Sequence, residues 1–185
     1  MTPGSRCRWL SCLAVLALLL TAPAFSEETP EYELKVELID RICRFVDWPP
    51  GAAASDPATP FTIAVIGKDP FGTYLDKLTS ERRIKDKKIR IVRAQSLDEI
   101  RDCQLLFVSA SEVKNLARIL ALTGERPILT VGDSKGYGEA GVVINFFTDK
   151  ETIHFEINEP AADRGGFRIS SKLRRLARMV GTESR

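Results

Sequence analysis

His154 is the only histidine in the chain, and it stands in the triplet His154-Phe155-Glu156. A His-x-Glu spacing is used by zinc deaminases, where the histidine holds the metal and the glutamate moves the proton. That chemistry also needs a Pro-Cys-x-x-Cys segment, and the chain has none. On a strand, His154 and Glu156 share one face while Ile153, Phe155 and Ile157 share the other, so the triplet reads as a solvated or partly covered sheet face. One histidine and, beyond residue 26, two scattered cysteines are too few good ligands for zinc. A serine hydrolase would also have to recruit His154, and no Gly-x-Ser-x-Gly turn precedes it. The sequence therefore predicts no catalytic residue, no metal site and no cofactor, which is the pattern of a protein that is not an enzyme.

Two glycine-bearing segments invite a phosphate or nucleotide reading. Gly136-Tyr137-Gly138-Glu139-Ala140-Gly141 spells G-x-G-x-x-G, but the dinucleotide motif needs a helix behind it to present amides to the pyrophosphate. Here the β-type run Val142–Phe147 follows, so the segment reads as a flexible loop. The second segment, Gly67 to Thr73, joins a strand to a helix. Gly67, Lys68, Gly72 and Thr73 form a candidate anion site at that helix start, with Asp69 as competing cap and Pro70 at the first helical position.

The elements that would position these residues follow from apolar spacing. Tyr32, Val36, Ile39, Cys43 and Val46 recur at helical intervals, predicting a helix over 31–48 that Trp48-Pro49-Pro50 stops. Phe61–Ile66, Lys88–Val92, Leu105–Ser109 and Ile128–Val131 read as strands, the first apolar on both faces as a central strand should be. Helical patterns at 70–78 and 112–122 and a helical turn at 97–102 alternate with them. Val142–Phe147 and Thr152–Ile157 make an antiparallel hairpin across Thr148-Asp149-Lys150-Glu151, and a basic amphipathic helix begins near Ser171. The predicted fold is an α/β three-layer sandwich: a largely parallel sheet flanked by helices, closed by a C-terminal antiparallel hairpin and a terminal helix.

Residues 1–26 read as a cleaved signal peptide. Arg6 and Arg8 precede the apolar run Leu13–Leu20, which is too short to span a bilayer, and small residues lead up to Ser26. An uncleaved anchor is the alternative. Residues 27–185 then form one domain in the periplasm. Hydrophobic residues are 44% and charged residues 28%, which argues against disorder. The net charge of +2 leaves with Arg6 and Arg8, and a neutral domain has no electrostatic case for nucleic acid. Cys7 and Cys12 leave as well. Cys43 and Cys103 remain as a candidate disulfide that would close a long loop and stabilise by about 4 kcal/mol; the alternative is two small buried hydrophobes that never meet. Two basic runs, Lys85 to Arg90 and Lys172 to Arg178, read first as solvated faces, with an acidic partner or anionic lipid as the other reading.

Several short segments, in this order, resemble the YfiR/HmsC-like family of secreted bacterial regulatory proteins. They are Tyr32 with Lys35, Phe45-Val46-Asp47-Trp48-Pro49, Phe61 to Gly67, Pro70-Phe71-Gly72, Cys103 to Val108 and Pro127 to Val131. Ile144-Asn145-Phe146, Phe155-Glu156-Ile157-Asn158, Ala161-Ala162, Ile169-Ser170-Ser171-Lys172-Leu173 and Leu176-Ala177 complete the signature. The resemblance implies a non-catalytic periplasmic domain. It would bind the periplasmic part of an inner-membrane diguanylate cyclase, or of a sensor kinase, and restrain cyclic di-GMP output and biofilm formation. Cys103 falls at the family's recurrent cysteine position, but Ala64 stands where the founding member has a cysteine, and the later pair is missing around 136–147. Tyr32, Val36 and Ile39 on the first helix and Tyr137 in the 132–141 loop are the expected partner or homodimer surface. A small-ligand binding protein, with its pocket near Gly67 and Ser109, is the second functional class.

Overall fold

The structure is a computed structural model that describes residues 30–52 and 58–181. The leader, Cys7 and Cys12 lie outside the described residues. Helix α1 (Pro30–Arg44) leads into β1 (Val46–Asp47), and β2 (Phe61–Ile66) begins the main sheet. Helix α2 (Tyr74–Glu81), β3 (Arg83–Ile84), β4 (Lys87–Ala94) and β5 (Leu105–Val108) follow. Then come α3 (Leu116–Thr123), β6 (Leu129–Gly132), α4 (Tyr137–Ala140), β7 (Ile144–Asp149) and β8 (Thr152–Asn158). The described chain closes with α5 (Glu159–Arg164), β9 (Arg168–Ile169), α6 (Ser171–Arg174) and β10 (Arg178–Val180).

Among the described residues the main sheet has the order β10-β8-β7-β6-β5-β2-β4-β3. Strands β4, β2, β5, β6 and β7 run parallel, and β8 returns antiparallel to β7. The β2 residues alternate between two apolar layers: Phe61, Ile63 and Val65 meet one, Ala64 and Ile66 the other. The first layer holds residues of α1, α2, α5 and α6; the second holds residues of α3 and α4 together with Ile100 and Cys103. This is the expected three-layer α/β sandwich. Tight turns close both hairpins: Lys85-Asp86 and Lys150-Glu151 each take positive φ at two consecutive residues, the twist that two-residue hairpins prefer.

Four local expectations need correction. Helix α1 stops at Arg44, because Val46-Asp47 pairs antiparallel with β9 and Trp48 turns inward to donate to the Gln104 carbonyl at 3.3 Å. The helical pattern at 112–122 becomes a helix only from Leu116, because a 3-10 turn and a further turn occupy 110–115, where Val113 is 59% exposed. The 136–141 segment is not an open loop. Gly136 and Gly141, at φ 82 and 116, bracket the four-residue helix α4. The terminal helix is also only four residues long, after which β10 pairs parallel with Glu156–Asn158 of β8. The spacing of Leu173, Leu176 and Val180 imitates a helix. Pairing with the edge of β8 and the ion pair from Arg178 to the buried Glu156 draw the chain into a strand instead.

Candidate functional site

The chain leaves β2 toward α2 on one face of the sheet and leaves β5 toward α3 on the other. The loops after β2 and β5 therefore part at the carboxyl ends of these adjacent strands, the switch point where open α/β sheets place ligands. Gly67 sits there at φ +89, and a Cβ on it would lie 2.4 Å from Ser111 Oγ and 2.8 Å from Glu112 Cγ. Only glycine lets the loops close this tightly. The Lys68 amide donates to Ser111 Oγ at 2.9 Å, and Ser109 caps the 3-10 turn that carries Ser111 and Glu112.

A cleft of about 830 Å³ opens beside this junction, between the 94–101 segment and α3. Leu97 and Leu122 give it apolar wall, while Asp98, Arg101, Glu112 and Arg118 give it both signs of charge. Arg101 pairs with Asp98 at 2.9 Å and Asn115 donates to Glu112 at 2.8 Å. Arg118 makes no ion pair among the described residues. Of the two residues that marked the expected pocket, Gly67 lines this cleft and Ser109 does not, and the charged lining comes mainly from α3 and the 95–101 turn.

The candidate anion residues do not converge. Helix α2 starts at Tyr74, four residues later than expected, because Asp69 caps its own turn by accepting from the Phe71 amide at 2.8 Å. Arg93 of β4 reaches into this turn, pairing with Asp69 at 2.7 Å and Asp76 at 3.0 Å and donating to the Gly72 carbonyl at 3.0 Å. Hydrogen bonds to those two carboxylates hold the Arg93 guanidinium above its usual pKa. Two carboxylates and a guanidinium thus occupy the ground between Gly72 and α2 that an anion would need, while Gly67 and Lys68 belong to the switch junction.

The expected partner surface is largely core. Val36, Ile39 and Tyr137 are buried; helix α1 turns Leu34 outward, and Phe45 just beyond it is also exposed. Tyr137 packs in the second layer and donates its hydroxyl to the Ser109 carbonyl at 3.0 Å, tying α4 to the end of β5. Tyr32 is half-buried, edge-on to Phe71, and donates to Asp133 Oδ2 at 2.9 Å. Lys35 donates to the same oxygen at 2.8 Å, so this buried pair seats the start of α1 on the end of β6. Burial and the Asp133 charge push the Tyr32 phenol well above its ordinary pKa of 10.

The candidate disulfide is absent: Cys43 and Cys103 are both free and buried. Cys43 lies in the first apolar layer and Cys103 in the second, so the sheet separates them. Burial pushes the Cys103 thiol up to about 12 and Cys43 higher still, leaving both as inert hydrophobes. His154 stacks on Phe147, and the described residues contain no cluster of three or more His, Cys, Asp or Glu able to hold a metal.

The sequence reading missed the buried polar cluster under α4. Glu156 is buried, pairs with Arg178, and accepts from Asn145 Nδ2 at 3.3 Å. Asn158 donates to the Gly138 carbonyl at 2.8 Å, and a Cβ on Gly138 would meet Glu156 Oε2 at 2.1 Å. The signal was present as the polar alternation of Asn145 with Glu156 and Asn158. Nothing in it distinguished a solvated face from one capped by a glycine-bearing turn.

The YfiR/HmsC-like family profile matches residues 32–178. The chain belongs to that family. A comparison of this YfiR/HmsC-like chain with curated proteins found no match. Among solved structures it is similar to a conserved domain protein from Vibrio cholerae O1 biovar El Tor, with TM-score 0.55 and 14% identity over 83% of this chain and 61% of that one. It is also similar to an ABC domain from Streptococcus pneumoniae in complex with L-Trp, with TM-score 0.53 and 12% identity over 80% of this chain and 60% of that one. This chain thus spans about three fifths of each of those proteins. At such identities the likeness shows a shared α/β fold. No helix among the described residues is long and apolar enough to cross a membrane.

Proposed function

We propose that the chain is a non-catalytic periplasmic regulatory protein. It binds and restrains an inner-membrane signalling protein, a diguanylate cyclase that controls cyclic di-GMP and biofilm formation. The observation that carries this reading is the family match across residues 32–178. The site chemistry agrees with it: the buried side chains of Lys35 and Asp133 pair, and buried Glu156 pairs with the exposed Arg178, in arrangements that fix elements in place. A restraining partner must bind the inactive cyclase more tightly than the active one, since equal affinity shifts no population. Deletion of the gene is expected to raise cellular cyclic di-GMP, and the tagged protein to recover one cyclase or sensor kinase from solubilised inner membranes. An unchanged cyclic di-GMP level together with recovery of no signalling protein overturns the reading.

The switch-point cleft supports a second reading, a small-ligand sensor that passes occupancy to such a partner. A rise in melting temperature with a small amphipathic molecule, lost on filling the cleft by Ala121→Trp, would favour it.

A further inference from the structure

The two ends of the main sheet are finished differently. At one end β10 is three residues long and covers only Glu156–Asn158 of β8, which leaves the shorter stretch Thr152–Phe155 without a strand on that side among the described residues. At the other end lies β4, eight residues long. Its inner side pairs with β2 along the whole of Ile89–Ala94, whereas on its outer side β3 pairs only with Lys87 and Lys88. Among the described residues no strand registers against the outer side of Ile89–Ala94. That leaves six residues of edge whose alternate N–H and C=O groups point away from the sheet. No proline, glycine or bulge interrupts it, and Ile91 and Val92 are only half-buried.

Sheet edges of this length are normally blocked or used. The charges on β4 decide between occupants. Lys88 and Arg90 project from one face of the strand, both exposed, and neither is in an ion pair among the described residues; Arg90 reaches only Thr62 Oγ1, at 3.1 Å. On the other face Arg93 is already balanced by Asp69 and Asp76. Antiparallel pairing with a second copy would bring the Lys88 and Arg90 of both copies onto one face, where like charges repel. An extended segment carrying carboxylates at alternate positions meets no such penalty. Its backbone would take up the open amides while its acids met Arg90 directly across the strand and Lys88, itself opposite Arg83 of β3, diagonally.

We propose that the outer edge of β4, from Ile89 to Ala94, takes up an acidic extended segment of a partner protein as an added strand in line with β3. The inference does not depend on which membrane protein the partner is.

The test uses the purified protein and a fluorescein-labelled heptapeptide alternating glutamate and valine, with anisotropy as readout. The peptide is expected to bind, and a twin N-methylated at alternate amides to bind about ten-fold or more weakly, because methylation removes ladder donors and keeps the charge. The K88E/R90E variant, checked for folding by circular dichroism, is expected to lose the acidic peptide and gain its lysine–valine counterpart. Equal binding of the methylated and unmethylated peptides would mean charge attraction alone and overturn the proposal. Absence of binding overturns it too. So does a concentration-dependent dimer in which the 89–94 amides resist hydrogen exchange without peptide, since a second copy would then hold the edge.

Discussion

Strands β2 and β5 bury every residue, almost all apolar, whereas β7 and β8 bury Asn145, Glu156 and Asn158 beside Ile144, Phe146 and Ile157. The first region is a parallel core clamped between helical layers, where stability comes from area removed from water. The second is an antiparallel hairpin whose outer half is capped by a four-residue helix and one cation from β10. There stability rests on individual polar pairs, since a buried polar group without a partner costs more than the bond it would make, and among the described residues Asn145 Oδ1 is the one such atom of this trio left without a partner. One sheet can thus be held non-specifically by deep apolar burial in its middle and by specific, breakable polar pairs toward its β8–β10 end.

Phe107→Ala should sharpen the contrast most. Phe107 is fully buried on β5 and packs on Phe71 at 4.6 Å between ring centroids. Its truncation is expected to cost about 3–5 kcal/mol in urea unfolding, from lost burial and the cavity left behind. Arg178→Met comes next, at about 1–3 kcal/mol, because it leaves the Glu156 carboxylate buried without its cation. Hydrogen exchange should show that loss concentrated in β8 and β10, with β2 and β5 still protected. Uniform loss of protection would break the distinction between the two regions.

A smaller effect should appear in alkali. The Tyr32 phenol has a folded pKa above its ordinary 10, from burial first and Asp133 second. Its contribution to stability is therefore complete below about pH 10 and falls as pH rises toward the folded value. Melting temperature is expected to drop more steeply above pH 10 in the parent than in Tyr32→Phe, and parallel curves would remove Tyr32 from the linkage. The smallest expected effect is that of reductant. With Cys43 and Cys103 on opposite sides of the sheet, dithiothreitol should leave the melting temperature unchanged, and both thiols should react with a thiol reagent only after unfolding. A reductant-dependent shift would mean that the two layers exchange cysteines.

The parallel core was legible in the sequence because a strand buried on both faces must be apolar throughout, and Phe61-Thr62-Ile63-Ala64-Val65-Ile66 has few other uses. The hairpin was legible as two apolar runs joined by the short polar stretch Thr148-Asp149-Lys150-Glu151, although β7 extends to Asp149 and only Lys150-Glu151 make the turn, in the register that sets Ile144 opposite Ile157. The switch-point location followed from strand–helix alternation alone. Less legible were the places where one pattern serves two structures. Val36 and Ile39 mark an apolar helix stripe, and only packing shows that this stripe faces the sheet instead of a partner. Tyr137 stands in a glycine-rich run, and only the hydroxyl contact with the Ser109 carbonyl makes it core.

The sequence by itself determined which segments must be strands and which apolar faces must be covered, since burial periodicity is local and each segment carries its own. It also determined family membership, through short motifs in a fixed order. Tertiary structure alone decided that Cys43 and Cys103 lie on opposite sides of the sheet, that Arg93 fills the turn before α2, and that residues 178–180 pair as a strand. It alone left the outer side of Ile89–Ala94 open. Each of these is a matter of distance between residues far apart in the chain, and local spacing carries no information about which of them the fold brings into contact.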